Sequence, residues 1–267
     1  MCGIAMIRLL KPLDYYQKKY GTWEYGLQKM YLLMEKQHNR GQEGAGIATV
    51  KLDMPPGEEY ISRKRIEGKN AIQEIFVDID KNHSLAPEDY SSDAAKAKMF
   101  CPFAGELYLG HLRYSTSGKS GLSYIHPFLR RHNWKSRTLV LAGNFNLTNV
   151  DEIFQSLTAQ GQHPRDKSDT FLMLESLGDK LDREVQREYE IIKQRYSNDQ
   201  VITRKIEENL DIASFIRKSE HIWDGGYVIC GMLGHGDAFL FRDPKGIRTA
   251  FYYADDEIIV AASERPV

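Results

Sequence analysis

Cys2 stands directly behind the initiator methionine and leads at once into an apolar run ending near Leu10. Chain termini are usually disordered and tolerant of change; an apolar run this early ties the chain start into a sheet instead. If Met1 is removed, Cys2 carries both a thiol and a free α-amine. The ordinary values are about 7.7–8.0 for the amine and about 8.5 for the thiol, so the amine can take the thiol proton near neutral pH. Nucleophile and base then belong to one residue, as in the terminal-amine variants of the serine triad. A small buried hydrophobe that happens to sit second is the plainer reading of Cys2 alone.

An amide-cleaving cysteine needs donors for the oxyanion, anchors for the substrate, and a loop that lets backbone come close. "RGQEGAGIA" (Arg40–Ala48) places three glycines between a helix and a strand, permitting positive φ and close packing. "GHLRYSTSG" (Gly110–Gly118) ends a strand at Arg113 and continues into hydroxyl residues including Thr116, a pattern suited to a substrate carboxylate. "GNFNLTN" (Gly143–Asn149) offers side-chain amides and backbone N–H groups after a strand, and "KSDT" (Lys167–Thr170) opens a long helix at Asp169. Asp169 would serve as a simple cap, or recruit a substrate amino group. His126 in "HPF" falls near this constellation.

The elements that position these residues follow from pattern. Leu27, Met30, Tyr31 and Met34 mark a helix within Trp23–His38. Strands are expected at Gly44–Val50, Tyr60–Ile66, Tyr108–Arg113 and Arg137–Asn144, and a short helix around Ile72–Ile79. Pro87–Lys98 reads as a polar surface excursion. Asn149 looks like a helix N-cap with Gly161 past the end. Long helical regions cover Asp169–Tyr196 and Thr203–Ile222, with Asp182–Arg195 a solvated face. Two hairpins follow, turning at 234–237 and at Asp255–Asp256, with Phe251–Tyr253 expected in strand core. Strands at both ends with helices between them favour antiparallel sheets covered by helices, an α+β architecture.

Composition bounds the rest. The chain has 267 residues, 42% hydrophobic and 27% charged, ordinary globular values. A formal net charge of −1 offers nothing to nucleic acid or an anionic membrane, and no apolar run approaches the ~20 residues of a membrane span. Three scattered cysteines, Cys2, Cys101 and Cys230, argue against disulfides or a metal cluster and for a reducing, cytoplasmic setting. Cys101 and Cys230 are expected in the core.

Cys2 behind Met1, "RGQEGAGIA", "GHLRYSTSG", "HPF", "NLTN", "SDT" and "FRDPKGIRT" (Phe241–Thr249) together resemble the class II glutamine amidotransferases, over essentially the whole chain. "RGQ", "NLTN" and "FRDPKGIR" are most like the amidophosphoribosyltransferase branch. The resemblance implies a four-layer αββα sandwich of the N-terminal-nucleophile hydrolase fold. It implies that Cys2 attacks the side-chain amide of glutamine, that Arg113 holds the α-carboxylate and Asp169 the α-ammonium, that Thr116 lines the pocket, and that Asn144 with the backbone N–H of Phe145 forms the oxyanion hole. Products would be glutamate and ammonia, and no cofactor is implied for this chain. The phosphoribosyltransferase domain that would use the ammonia, with phosphoribosyl pyrophosphate and Mg²⁺, is absent from residues 1–267, so the chain reads as the N-terminal part of something longer. A homo-oligomer is compatible with this reading.

The family commonly carries Asn-Gly where this chain has Asn144-Phe145. A backbone donor survives that change, but a positive φ there would be costly for phenylalanine. Two alternatives therefore stand beside the leading reading. One is a glutaminase domain serving another acceptor; the other is a degenerate domain that binds glutamine or partners without turnover.

Overall fold

The computed structural model describes residues 1–86, 89–114 and 121–267. Among them are two antiparallel sheets. The first comprises β1 (Gly3–Leu9), β2 (Gly44–Val50), β3 (Ile61–Glu67), β4 (Leu107–Arg113), β9 (Phe251–Ala254) and β10 (Ile258–Ala262). Its order is β3-β2-β4-β1-β10-β9. The second comprises β5 (Phe128–Arg130), β6 (Leu139–Leu147), β7 (Gly225–Leu233) and β8 (Ala238–Arg242), in that order across the sheet.

Side-chain alternation explains why two sheets and two helical layers form. In β1, Ile4 and Met6 enter an inter-sheet core with Val140, Ala142, Val228 and Cys230. Their neighbours Ala5, Ile7 and Leu9 face the other way, against α1 (Leu13–Tyr20), α2 (Tyr25–Lys36) and α3 (Ala71–His83). In β6, Val140 and Ala142 face the first sheet, while Leu139 and Leu141 pack on α6 (Asp169–Ile192). Strands apolar on both faces can only be interior layers, so helices must cover each outer side. Each fully buried aliphatic side chain contributes about 1.5–3 kcal/mol to this packing. The result is the four-layer αββα sandwich expected from the sequence.

Several local expectations are corrected. The region 203–222 is two helices, α7 (Asp199–Asn209) and α8 (Ile212–Glu220), because Asp211 interrupts it and caps α8 by accepting from the Ser214 N–H at 2.9 Å. Asn149 stands at the N-cap position of α5 (Val150–Ala159), as expected, but its side chain makes no capping bond; its amide donates to the Ile222 carbonyl at 2.8 Å and accepts from the Asp224 N–H at 3.1 Å. The surface excursion contains α4 (Ala94–Phe100), capped by Asp93. Asp182–Arg195 is not wholly solvated, since Glu184 is buried beneath Lys218 and Arg187. Phe251–Tyr253 is not core: β9 is the edge strand, and all four of its residues are exposed. Cys101 and Cys230 are fully buried free thiols, as expected.

Candidate active site

The start of β1, the ends of β4 and β6 and the first turn of α6 meet at one end of the sandwich, around a cavity of about 320 Å³. Cys2, Arg113, Asn144, Phe145 and Asp169 all line it. Thr116 lies outside the described residues.

The chain start is held from both sides. Gly3 and Ile4 pair with Leu112 and His111 of β4. On the other flank the Ile4 N–H donates to Ser263 Oγ at 3.0 Å and the Ser263 N–H donates to the Ile4 carbonyl at 3.1 Å. Arg40 Nε donates to the Cys2 carbonyl at 3.3 Å, and its Nη1 donates to Glu264 at 3.2 Å. Cys2 shares the parity of Ile4 and Met6 and so sits at the mouth of the inter-sheet layer, 8% exposed. Its thiol donates to the Tyr114 carbonyl at 3.5 Å. Met1 projects over the cavity mouth, with Arg248 Nη1 donating to its sulfur at 2.9 Å. Burial, followed by the charges of Arg40 and Arg248, holds the Met1 α-amine below the ordinary value for a chain terminus.

The three glycines after Arg40 serve close approach rather than positive φ. Gly41 is extended (φ −167°), and a Cβ on Gly46 would lie 2.0 Å from the His126 carbonyl oxygen. This lets the His126–Phe128 segment lie directly on β2.

The edge of β6 supplies the donors. Tyr227 turns both its main-chain groups toward Asp243: its N–H donates to Asp243 Oδ2 at 3.3 Å, and its carbonyl accepts from the Asp243 N–H at 2.8 Å. Its register partner on β6 is Phe145. That pair is therefore a non-hydrogen-bonded one, and the Phe145 N–H points to the opposite edge of β6. β5 covers that edge only at Leu139–Leu141. Beyond it the Gly143 N–H donates to His126 Nδ1 at 3.2 Å and the Leu147 N–H donates to Asp169 Oδ2 at 2.9 Å. Between them the Phe145 N–H faces the cavity, with no partner among the described residues. Phe145 is not among the residues with positive φ, so the side chain costs no backbone strain. Its ring lies over Gly143, where a Cβ would meet it at 2.3 Å, and tilts against His126 with centroids 5.6 Å apart. Asn144 has the parity of Ala142, which directs it toward the first sheet and Cys2.

The anchors are placed by element ends. Arg113 is the last residue of β4, with its guanidinium carbon 6.0 Å from the centre of the Tyr124 ring. Asp169 is the first residue of α6. A cation at one wall and a carboxylate at the other can hold the two charges of an α-amino acid, with its side chain directed at Cys2.

Sequence reasoning missed Thr170, Tyr124 and Arg248, which also line the cavity, and left His126 without a task. Arg248 was accessible in "FRDPKGIR": buried Asp243 accepts from the Ile247 and Arg248 N–H groups at 2.9 and 3.2 Å, folding that loop back over the chain start. Among the described residues no group of three or more His, Cys, Asp or Glu could hold a metal ion, and no helix is long and apolar enough to cross a membrane.

The two sheets and their covering helices form a four-layer αββα sandwich with a chain-start cysteine at its mouth. No protein-family model matches the chain. Its curated relatives include amidophosphoribosyltransferases: that of Pasteurella multocida is 27% identical over 251 residues, 93% of this chain and 38% of the relative. That of Archaeoglobus fulgidus is 29% identical over 234 residues (88% and 39%), and that of Bacillus subtilis 30% identical over 167 residues (62% and 29%). Among solved structures, glutamine phosphoribosylpyrophosphate amidotransferase from B. subtilis, complexed with ADP and GMP, covers 98% of this chain at 23% identity and a TM-score of 0.58. A structure described as the allosteric regulatory enzyme of purine biosynthesis covers 98% at 24% identity and a TM-score of 0.59. This chain spans about two-fifths of the length of either structure, 42% in each case.

Proposed function

We propose that this chain, once Met1 is removed, hydrolyses the side-chain amide of glutamine with Cys2 and supplies the ammonia to a phosphoribosylamine-forming synthase of purine biosynthesis. The observation that carries the reading is the gathering of the Cys2 thiol, the free edge N–H of Phe145, Arg113 and Asp169 around one cavity of about 320 Å³. In this reading Arg113 binds the α-carboxylate and Asp169 the α-ammonium. The terminal amine takes the thiol proton as sulfur attacks the amide carbon. The oxyanion is received by the Phe145 N–H and the Asn144 side chain. Transfer of the proton to nitrogen releases ammonia and leaves a thioester, which water cleaves to glutamate with the same amine as base. Phosphoribosyl pyrophosphate and Mg²⁺ belong to the synthase step, and no cofactor serves the glutaminase step.

The test is an intact mass of the processed chain before and after exposure to a diazoketone analogue of glutamine. One adduct on Cys2, blocked by excess glutamine, is the expected outcome. A chain with a free Cys2 amine that takes up no adduct and releases no ammonia would refute the reading.

A further inference from the structure

One imidazole touches three elements that carry proposed substrate contacts, β4, β6 and α6. His126 is 2% exposed and lies between the two sheets and α6. It stacks on His111, two residues before Arg113 on β4, with ring centroids 4.0 Å apart. Its Nδ1 accepts from the N–H of Gly143, the residue before Asn144 on β6. Its Nε2 lies 2.8 Å from Oγ1 of Thr170, the residue after Asp169 on α6. A backbone N–H can only donate, so Nδ1 carries no proton and the neutral ring places its proton on Nε2, which donates to Thr170. Its backbone is seated on β2, where Gly46 leaves no room for a side chain.

We propose that His126 is a positioning residue, whose two hydrogen bonds set the spacing between the Asn144–Phe145 donors on β6 and the Asp169 carboxylate on α6. This rests on the glutaminase reading above. Without the imidazole, the Asp169–Leu147 bond is the one hydrogen bond left among the described residues between β6 beyond Ala142 and the first turn of α6, beside the apolar packing of Leu147. The oxyanion donors and the ammonium anchor are then free to drift apart, and misplacement by about 1 Å can cost about 10²-fold in rate. The orientation of the bonds is also specific. A glutamine side chain can present a carbonyl oxygen to Gly143 and an N–H to Thr170, reproducing both; leucine fills the volume and reproduces neither.

The experiment uses the full chain with Met1 removed, comparing wild type, His126→Gln and His126→Leu. The readouts are kcat and KM for glutamine, the iodoacetamide alkylation rate of Cys2, and amide exchange at Gly143. The expected result is a kcat/KM loss of about 10- to 100-fold in His126→Leu, with kcat falling and KM rising together. Gly143 exchange should quicken while alkylation, which needs only the thiolate, stays unchanged. His126→Gln should recover most of the loss and the slow exchange. Wild-type kcat and KM in His126→Leu, or equal damage in both variants, would overturn the inference while leaving the glutaminase reading intact. If His126→Leu does not fold, His126→Gln and the Gly143 exchange decide. A processed wild-type chain that neither hydrolyses glutamine nor reacts with its diazoketone analogue would overturn the reading and this inference with it.

Discussion

Asp169 Oδ2 accepts a 2.9 Å hydrogen bond from the Leu147 N–H, so the residue that opens α6 also closes the free edge of β6. One carboxylate has a structural partner and a place on the cavity wall, and the two roles separate by mutation. Asp169→Asn retains an acceptor for Leu147 and should change stability by less than about 1 kcal/mol. Losing the charge should raise KM for glutamine by roughly 10- to 100-fold, the worth of a charge-assisted hydrogen bond. A melting curve with steady-state kinetics checks both, and an unchanged KM would remove Asp169 from substrate binding.

Phe145 separates backbone from side chain. Phe145→Gly keeps the N–H and discards a half-buried ring, so it should cost about 1–3 kcal/mol of stability with activity per folded molecule retained. Phe145→Pro deletes the donor at a position that contributes no bond to β7, which a strand tolerates. It should lower kcat by ~10²–10³-fold. Equal activity in the two variants would exclude this N–H as an oxyanion donor.

The stacked histidines make the fold acid-sensitive. Burial lowers His111 to about 3, and burial, with His111 and then Arg113 and Arg65 nearby, lowers His126 well below its ordinary value. Both are neutral when folded, whereas the unfolded chain protonates them near pH 6.5. Their contribution is complete above about pH 6.5 and is lost as pH falls from there toward about 3. Each histidine adds up to about 1.4 kcal/mol of destabilisation per pH unit in that window. Denaturant titrations between pH 6.5 and 4 should show one such increment removed in His126→Gln; an identical pH slope would contradict the assignment.

Arg248 bears on the base. It lies against Met1, and with burial and Arg40 it lowers the terminal amine's affinity for protons. In a chain freed of Met1 the same cation would face the Cys2 amine. Arg248→Met should raise that amine's pKa and move the acidic limb of the kcat/KM profile up by roughly half a pH unit. A downward shift, or none, would place Arg248 too far from the amine to act on it.

Much of this site was legible because its parts sit at element boundaries, where sequence signals are strongest. Cys2 precedes an apolar run, Arg113 ends one strand, Asn144 lies near the end of another, and Asp169 opens a helix. Their meeting follows from β1 and β4 being neighbours and β6 ending above them. His126 was harder to read because its contacts are to Gly143 and Thr170, 17 and 44 residues away, and no local pattern encodes such pairs. Phe251–Tyr253 misled because aromatic residues signal a strand but not whether that strand is central or at an edge. The break between α7 and α8 was overlooked because apolar periodicity continues through it; only the cap at Asp211 marks the stop.

The free N–H at position 145 belongs to the main chain and leaves no residue signature. Once hydrogen-bond alternation rather than a left-handed turn aims that donor, glycine ceases to be required there. The position becomes open to any side chain that a strand accepts and the cavity can seat. A pattern that demands Asn-Gly at this point would pass over the chain, although a free edge N–H remains at position 145. Distant members of such a fold are better found by the parity of their strands than by the letters at the site.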